Sequence, residues 1–251
     1  MIRVSHLSVG SRLLPFSLNV EQGEILHVIG PNGSGKSTFL SALSGLLDYQ
    51  GDVYYDEENI ECYSIEALAS QRAFLSQSDK PAFNLVVAQY LALSIPNGER
   101  HQETLVDETV RELAELLELG DKLHRSIHNL SGGEWQRVRL CAICLQIWPA
   151  LNPSAKLLIL DEPAAPLDIG QESLLYRLIR KVADLGLTVV MSNHDLNRTL
   201  NYADRVVLFD KGVMQQFGRP EDVLTEQQLE SVFNTRVTKA VVNRKSVLLF
   251  D

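Results

Sequence analysis

The stretch Gly30-Pro31-Asn32-Gly33-Ser34-Gly35-Lys36-Ser37 constrains this chain more than any other. It reads G-x-x-x-x-G-K-S, the phosphate-binding loop pattern called Walker A. The pattern requires a strand before it and a helix after it. Both are legible: Ile25 to Ile29 is a mostly apolar run of strand length, and Thr38 to Leu46 can continue as a helix. A triphosphate is dense in negative charge, so a loop that wraps it must bring its backbone close. Gly30, Gly33 and Gly35 carry no side chains to hold N–H groups away from phosphate oxygens. The helix beginning near Lys36 aims its positive dipole end at the same place. Lys36 adds a point charge for the β- and γ-phosphates, and the Ser37 hydroxyl is placed to ligate Mg²⁺. Pro31, Asn32, Ser34 and Thr38 are the remaining candidate nucleotide contacts of the loop.

Along the chain, strand-like and helical patterns alternate. Ile2 to Leu7 and Ser17 to Val20 read as strands, followed by Asp52 to Tyr55 and Gln71 to Ser76. From residue 78 to 152 the pattern turns helical, with helices expected over Val86–Leu93, Thr104–Leu117 and Glu134–Gln146. In the second, Val106, Val110, Leu113 and Leu117 follow helical spacing with acidic residues between them. Strand character returns at Leu157–Leu160 and at Thr188–Ser192, both continuous apolar runs of the kind found in buried parallel strands. A helix is expected over Gln171–Asp184 and another over Pro220–Phe233, with hairpins around Asp210–Gly212 and Asn243–Ser246. The expectation is an α/β fold: a core of residues 1–77 and 153–251 with a mostly parallel sheet, an N-terminal antiparallel β part, and an inserted helical subdomain over 78–152.

Composition narrows the functional classes. With 251 residues, 45% apolar and 22% charged, the chain has the make-up of a globular protein with a substantial core. A net charge of −9 argues mildly against nucleic acid or anionic lipid as the main partner. No apolar run approaches the roughly 20 residues of a membrane span. Met1 to His6 enters strand-like alternation without signal-peptide character, so the chain is expected to stay in the cytosol. Cys141 and Cys144 form a C-x-x-C, but within a run that reads as a buried helix, where they serve as small apolar residues.

Two more stretches carry chemistry. Leu157–Leu160 runs into Asp161-Glu162-Pro163. An Asp at the end of a central strand can hold the Mg²⁺ that bridges phosphates. The next side chain points elsewhere, so Glu162 can polarise a water for in-line attack. Leu130-Ser131-Gly132-Gly133-Glu134 precedes a helix, with Ser131 as N-cap and Glu134 completing a capping box. Glycines are poor helix starters. An anion approaching the N–H groups of Gly132 and Gly133 would account for them.

These stretches, with Gln77, Ala165-Pro166-Leu167-Asp168 and His194, stand in the order and spacing of an ABC-transporter ATPase, and the chain resembles that family over nearly its whole length. The resemblance implies ATP and Mg²⁺ as cofactors and a head-to-tail dimer with ATP between Walker A of one copy and L-S-G-G of the other. It implies that Gln77 senses Mg²⁺ and links to a membrane partner, and that Ser131 and Gly133 contact the γ-phosphate across the interface. By the same resemblance Glu162 is the catalytic base, Asp168 lies in the loop crossing the dimer, and His194 contacts the γ-phosphate. The partners so implied are a second copy, transmembrane permease subunits and, indirectly, a periplasmic binding protein, at the cytoplasmic face of a bacterial inner membrane.

Leu130 to Leu140 with its Trp135-Gln136-Arg137, the Pro149–Pro153 segment and Pro81–Leu91 are similar to the ATPase subunits of bacterial vitamin B12 (cobalamin) importers. ATPases of iron-siderophore or haem importers are the nearest alternative. A non-transport ABC ATPase is a further one, against which stand the single cassette, the lack of a long heptad insertion and the lack of a basic tract. Two features depart from the family. Ser8 to Leu14 contains no aromatic residue to stack on adenine, leaving Arg12 as the available platform. Pro166 stiffens the loop leading to Asp168.

Overall fold

The computed structural model describes residues 1–76, 80–96, 103–243 and 245–251. Strands β1 (Ile2–Val9) and β2 (Leu13–Val20) lead to β3 (Ile25–Ile29), which feeds helix α1 (Lys36–Leu43). Then come β4 (Gln50–Tyr55), the short β5 (Glu58–Asn59), α2 (Ile65–Gln71) and β6 (Arg72–Leu75). Helices α3 (Val87–Ala92), α4 (Glu103–Leu116) and α5 (Gly132–Ile147) follow. The chain returns through β7 (Leu157–Leu160), α6 (Ile169–Asp184), β8 (Thr188–Ser192), α7 (Leu196–Tyr202), β9 (Arg205–Asp210) and β10 (Val213–Gly218). It closes with α8 (Pro220–Val223), α9 (Glu226–Phe233), β11 (Val237–Val242) and β12 (Lys245–Phe250).

The expected mixed architecture is present. A six-stranded sheet runs β10-β9-β3-β8-β7-β6, parallel except for the β10 edge. A four-stranded antiparallel sheet, β2-β1-β4-β5, holds the N-terminal part. Helix α1 lies between the two, and Phe16, Phe39 and Phe209 meet there with ring centroids 5.2 to 5.7 Å apart. The other face of the larger sheet is covered by α6 and by the helical region around α5. Strand β7 shows why its sequence is apolar throughout. Side chains alternate, so Leu157 and Ile159 enter the core between the sheets while Leu158 and Leu160 enter the one beneath the helices.

Some boundaries differ from expectation. The helix expected over Pro220–Phe233 is two, because Thr225 is extended and its side chain caps α9 through the Gln228 N–H. Gln71 ends a helix instead of opening a strand. Helices α2 and α7 are too short for their periodicity to stand out. Cys141 and Cys144 are buried on α5, and burial pushes the Cys141 thiol up to about 12. No helix among the described residues is long and apolar enough to cross a membrane.

Candidate functional site

Strand order decides which loops meet. The C-terminal ends of β3, β8 and β7 lie side by side, and each carries one of the motifs: the loop from Gly30, the Ser192–His194 turn, and Asp161-Glu162. Ligands of open parallel sheets gather at this edge.

The phosphate loop is pinned to the neighbouring strand. Gly30 has φ 147°, and a Cβ there would lie 2.2 Å from the Phe209 carbonyl oxygen of β9, so no other residue fits without displacing backbone. Lys36 folds back across the loop and donates from Nζ to the carbonyls of Gly30 (2.8 Å) and Pro31 (3.1 Å). Burial lowers its pKa, and the nearby Glu162 and Asp161 carboxylates oppose that effect. A cavity of about 540 Å³ opens above the loop, walled by Asn32, Gly33, Lys36, Ser37, Thr38 and Glu162 on one side and by Arg12, Lys211 and Gly212 on another. Helix α1 begins at Gly35 with no side chain capping its first N–H groups. Unsatisfied N–H groups, a lysine and a concave wall together suit a polyphosphate.

One hydroxyl holds the Asp161 carboxylate and the Glu162 backbone. Ser192 Oγ donates to Asp161 Oδ1 at 2.7 Å and accepts the Glu162 N–H at 2.7 Å. Asp161 is buried, whereas Glu162 lines the cavity. Glu162 Oε1 accepts from His194 Nε2 at 2.6 Å. Glu162 itself has φ 48°, a left-handed backbone that turns its side chain away from the direction of Asp161. Ser37 lines the cavity, and Asp161 is buried next to the lining Glu162, near enough to the Lys36 ammonium to act on it; both offer oxygen donors. They fit Mg²⁺, which takes few protein ligands and draws the rest from phosphate and water. Gln77, the third expected metal residue, lies outside the described residues.

Ser131, Gly132, Gly133 and Glu134 do not line that cavity. They form the start of α5, with the capping box complete: Ser131 Oγ accepts the Glu134 N–H at 3.2 Å, and Glu134 accepts the Ser131 N–H at 2.8 Å. That backbone N–H, then Lys122, holds the Glu134 carboxyl below the usual range. Ser131 and Gly132 are exposed. Gly133 is covered by Gln171 of α6, whose amide oxygen would sit 2.0 Å from a Cβ at that position. Asp168 caps α6 through the Gln171 N–H, 2.8 Å, and stands exposed beside Ile169, which is 80% exposed. From α5, Gln136 donates to the Pro163 carbonyl (2.8 Å), and Arg139 donates to the Ser76 carbonyl.

Several site residues escaped sequence reasoning. Lys211 read as a hairpin turn, because nothing local places β9 and β10 beside the phosphate loop. Ser192 read as a strand end. Its signal was position, a small hydroxyl residue where a parallel strand stops.

A parallel sheet with this loop, a strand-end Asp-Glu pair and a histidine on the glutamate defines a P-loop nucleotide hydrolase. The comparisons sharpen the class. Residues 13–165 match the ABC transporter family model. The vitamin B12 import ATP-binding protein BtuD of Vibrio atlanticus is 57% identical over 251 residues, covering all of both chains. The protein of that name from Photobacterium profundum is 50% identical, covering 100% of this chain and 99% of its own. Among solved structures, cbiO1 from Clostridium perfringens, part of the ABC transporter complex cbiONQ, superposes with TM-score 0.76 at 25% identity, covering 93% of this chain and 94% of its own. The ADP conformation of MJ1267, an ATP-binding cassette of an ABC transporter, gives TM-score 0.75 at 23% identity, covering 93% and 98%. The chain belongs to the ABC transporter family, as an ATP-binding, ATP-hydrolysing subunit.

Proposed function

We propose that this subunit hydrolyses ATP to drive vitamin B12 import through a separate membrane permease, at the cytoplasmic face of the inner membrane. The observation that carries the reading is identity of 48–57% with vitamin B12 import ATP-binding proteins along essentially the whole chain, with every nucleotide motif present.

The chemistry follows from the site. Backbone N–H groups of the loop and helix start, at Gly33, Gly35, Lys36 and Ser37, and the Lys36 ammonium bind and orient the phosphates. Ser37 and Asp161, with Gln77 as third contact, would hold Mg²⁺, which would supply positive charge to offset that of the phosphates. Glu162, fixed by Ser192 and His194, orients and deprotonates the attacking water. His194 reaches the γ-phosphate from the same edge. The N–H groups of the exposed Gly132 and of Gly133, once the Gln171 amide that covers it moves aside, and the Ser131 hydroxyl, supply the opposite wall in a second, head-to-tail copy. Asp168 and the exposed Ile169 belong to that dimer face.

Residues 78–152 act as one helical unit. Arg139 and Gln136 tie it to the backbone on either side of the hydrolytic centre, so closure around ATP moves it. Phe83, 60% exposed, offers an apolar docking point for a short permease helix.

The test is uptake of labelled cobalamin by cells lacking their own importer ATPase, supplied with this chain and its permease. Uptake is expected, and Phe83→Asp should abolish it while leaving basal hydrolysis intact. Uptake of a siderophore instead would overturn the cargo. Uptake that survives Phe83→Asp would remove that surface from the coupling path.

A further inference from the structure

His194 has one polar contact among the described residues, the carboxylate of Glu162, and its side chain is 47% exposed. Little else holds the imidazole, so its direction must come from the backbone turn that carries it. That turn is anchored from below. Asn193 points inward and is 5% exposed. Its Nδ2 lies 3.0 Å from the Tyr176 hydroxyl, 3.2 Å from Thr199 Oγ1, 3.2 Å from the Asp195 carbonyl and 3.4 Å from His27 Nδ1. Its Oδ1 accepts the Asp195 N–H at 3.2 Å, which closes the turn across His194.

The surrounding groups come from three elements. Tyr176 is on α6, Thr199 on α7, and His27 on β3, three residues before Gly30; all are buried. Thr199 Oγ1 donates to the Asp195 carbonyl at 3.0 Å. It then accepts from His27 Nδ1–H, also at 3.0 Å. That tautomer leaves only a lone pair on His27 Nε2, which has no partner among the described residues, where a proton would be stranded. Apolar side chains would fill this space without the desolvation cost of four polar ones. What the polar set adds is direction: it fixes one rotation of the 193–195 turn relative to the phosphate-loop strand and to α6.

We propose that Asn193 is a positioning residue for hydrolysis: held by Tyr176 and by Thr199, whose hydroxyl is itself oriented by His27, it sets the turn that aims His194 at Glu162. The inference rests on the hydrolytic roles proposed above for Glu162 and His194.

The experiment is a double-mutant cycle on the full-length chain, with kcat and KM for ATP measured separately and melting followed in parallel. Asn193→Ala should lower kcat roughly ten- to a hundredfold, as a misaimed group does, with KM within about twofold. Thr199→Val should act in the same direction, and Thr199→Ser, which keeps the hydroxyl, should recover most of the loss. In a His194→Ala background, Asn193→Ala should have almost no further effect. A general loss of folded protein would instead lower activity by the same factor in both backgrounds, and that result overturns the proposal. Wild-type kcat in Asn193→Ala and Thr199→Val, with His194→Ala impaired, overturns positioning alone. Wild-type kcat in His194→Ala overturns both the role of His194 and the inference built on it.

Discussion

The loop ending at Gly35 and the turn at Ser131 both open a helix and both present backbone N–H groups, but their caps differ. Helix α1 starts without any side-chain cap, inside a cavity of its own chain. Helix α5 starts with a complete capping box on an exposed face. An uncapped helix start in a concave, cationic setting is short of an anion, and a phosphate supplies it. At the α5 start the capping box takes up the Glu134 N–H, and only the N–H groups of Gly132 and Gly133 are left to an anion. The Ser131 hydroxyl acts there as an acceptor, so its own proton can still be donated outward. The first region is a binding site within a single chain. The second, in the head-to-tail arrangement proposed above, is a stable surface that gains a ligand only when another copy brings it. Binding by the α1 side and closure by the α5 side should therefore be separable steps.

The sharpest test removes chemistry while leaving both regions intact. In Glu162→Gln the shape persists and the base is lost, so turnover should fall by roughly 10²-fold or more with ATP still bound. A nucleotide-locked dimer should accumulate on a sizing column, and wild-type turnover would remove Glu162 from the base role.

Next is a change confined to the α5 side. Gly133→Asp must displace the Gln171 amide, and it places a carboxylate where phosphate charge is to arrive. Turnover should drop by about tenfold or more through loss of those donors, and ATP should no longer drive dimer formation. Affinity for ATP in the monomer should stay within about threefold, since the α1 side is untouched. An ATP-driven dimer in this variant would break the comparison.

Base selectivity gives a smaller effect. The cavity above the loop has Arg12 and Lys211 on its outer wall and no aromatic residue among its lining. ATP and GTP should then differ by less than about tenfold, or 1.4 kcal/mol. Direct titration of both nucleotides checks this, and a hundredfold preference would reveal a base-edge reader.

The smallest effect concerns acid stability beneath the α1 side. Burial lowers the His27 pKa from 6.5 to about 3, so the folded chain keeps it neutral. The unfolded chain binds that proton below pH 6.5. This contribution is therefore full above pH 6.5 and is lost as pH falls toward 3, at no more than about 1.4 kcal/mol per pH unit. His27→Asn should flatten urea-unfolding stability between pH 7 and pH 5 by up to that slope. An unchanged slope would mean His27 is protonated in the folded chain.

The motifs were legible because they break local rules for a reason. Three glycines before a lysine, and a glycine pair behind an N-cap serine, make poor structure unless backbone must be approached. The buried strands were legible from apolar runs lacking alternation. What escaped depends on contacts distant in sequence. Lys211 reaches the cavity only because β9 pairs with β3. Gln171 covers Gly133 only because α6 packs on α5, and Asn193 finds His27 from 166 residues away. Thr225 shows the reverse case, a local signal outweighed: its capping side chain interrupted what read as one helix.

The Lys36 ammonium already spans two carbonyls of its own loop, and Gly30 is seated against β9. The cradle is thus rigid before any guest arrives, and its ordering entropy belongs to folding. A phosphate that draws Lys36 to itself takes a partner from the loop instead of capturing an idle cation. The gain is the difference between two bonded states, much smaller than a bare charge pair would suggest. Such a site grips by fit more than by raw attraction. A nucleotide held that way can leave once its last phosphate bond is cut, which a motor that must reset needs as much as it needs to bind.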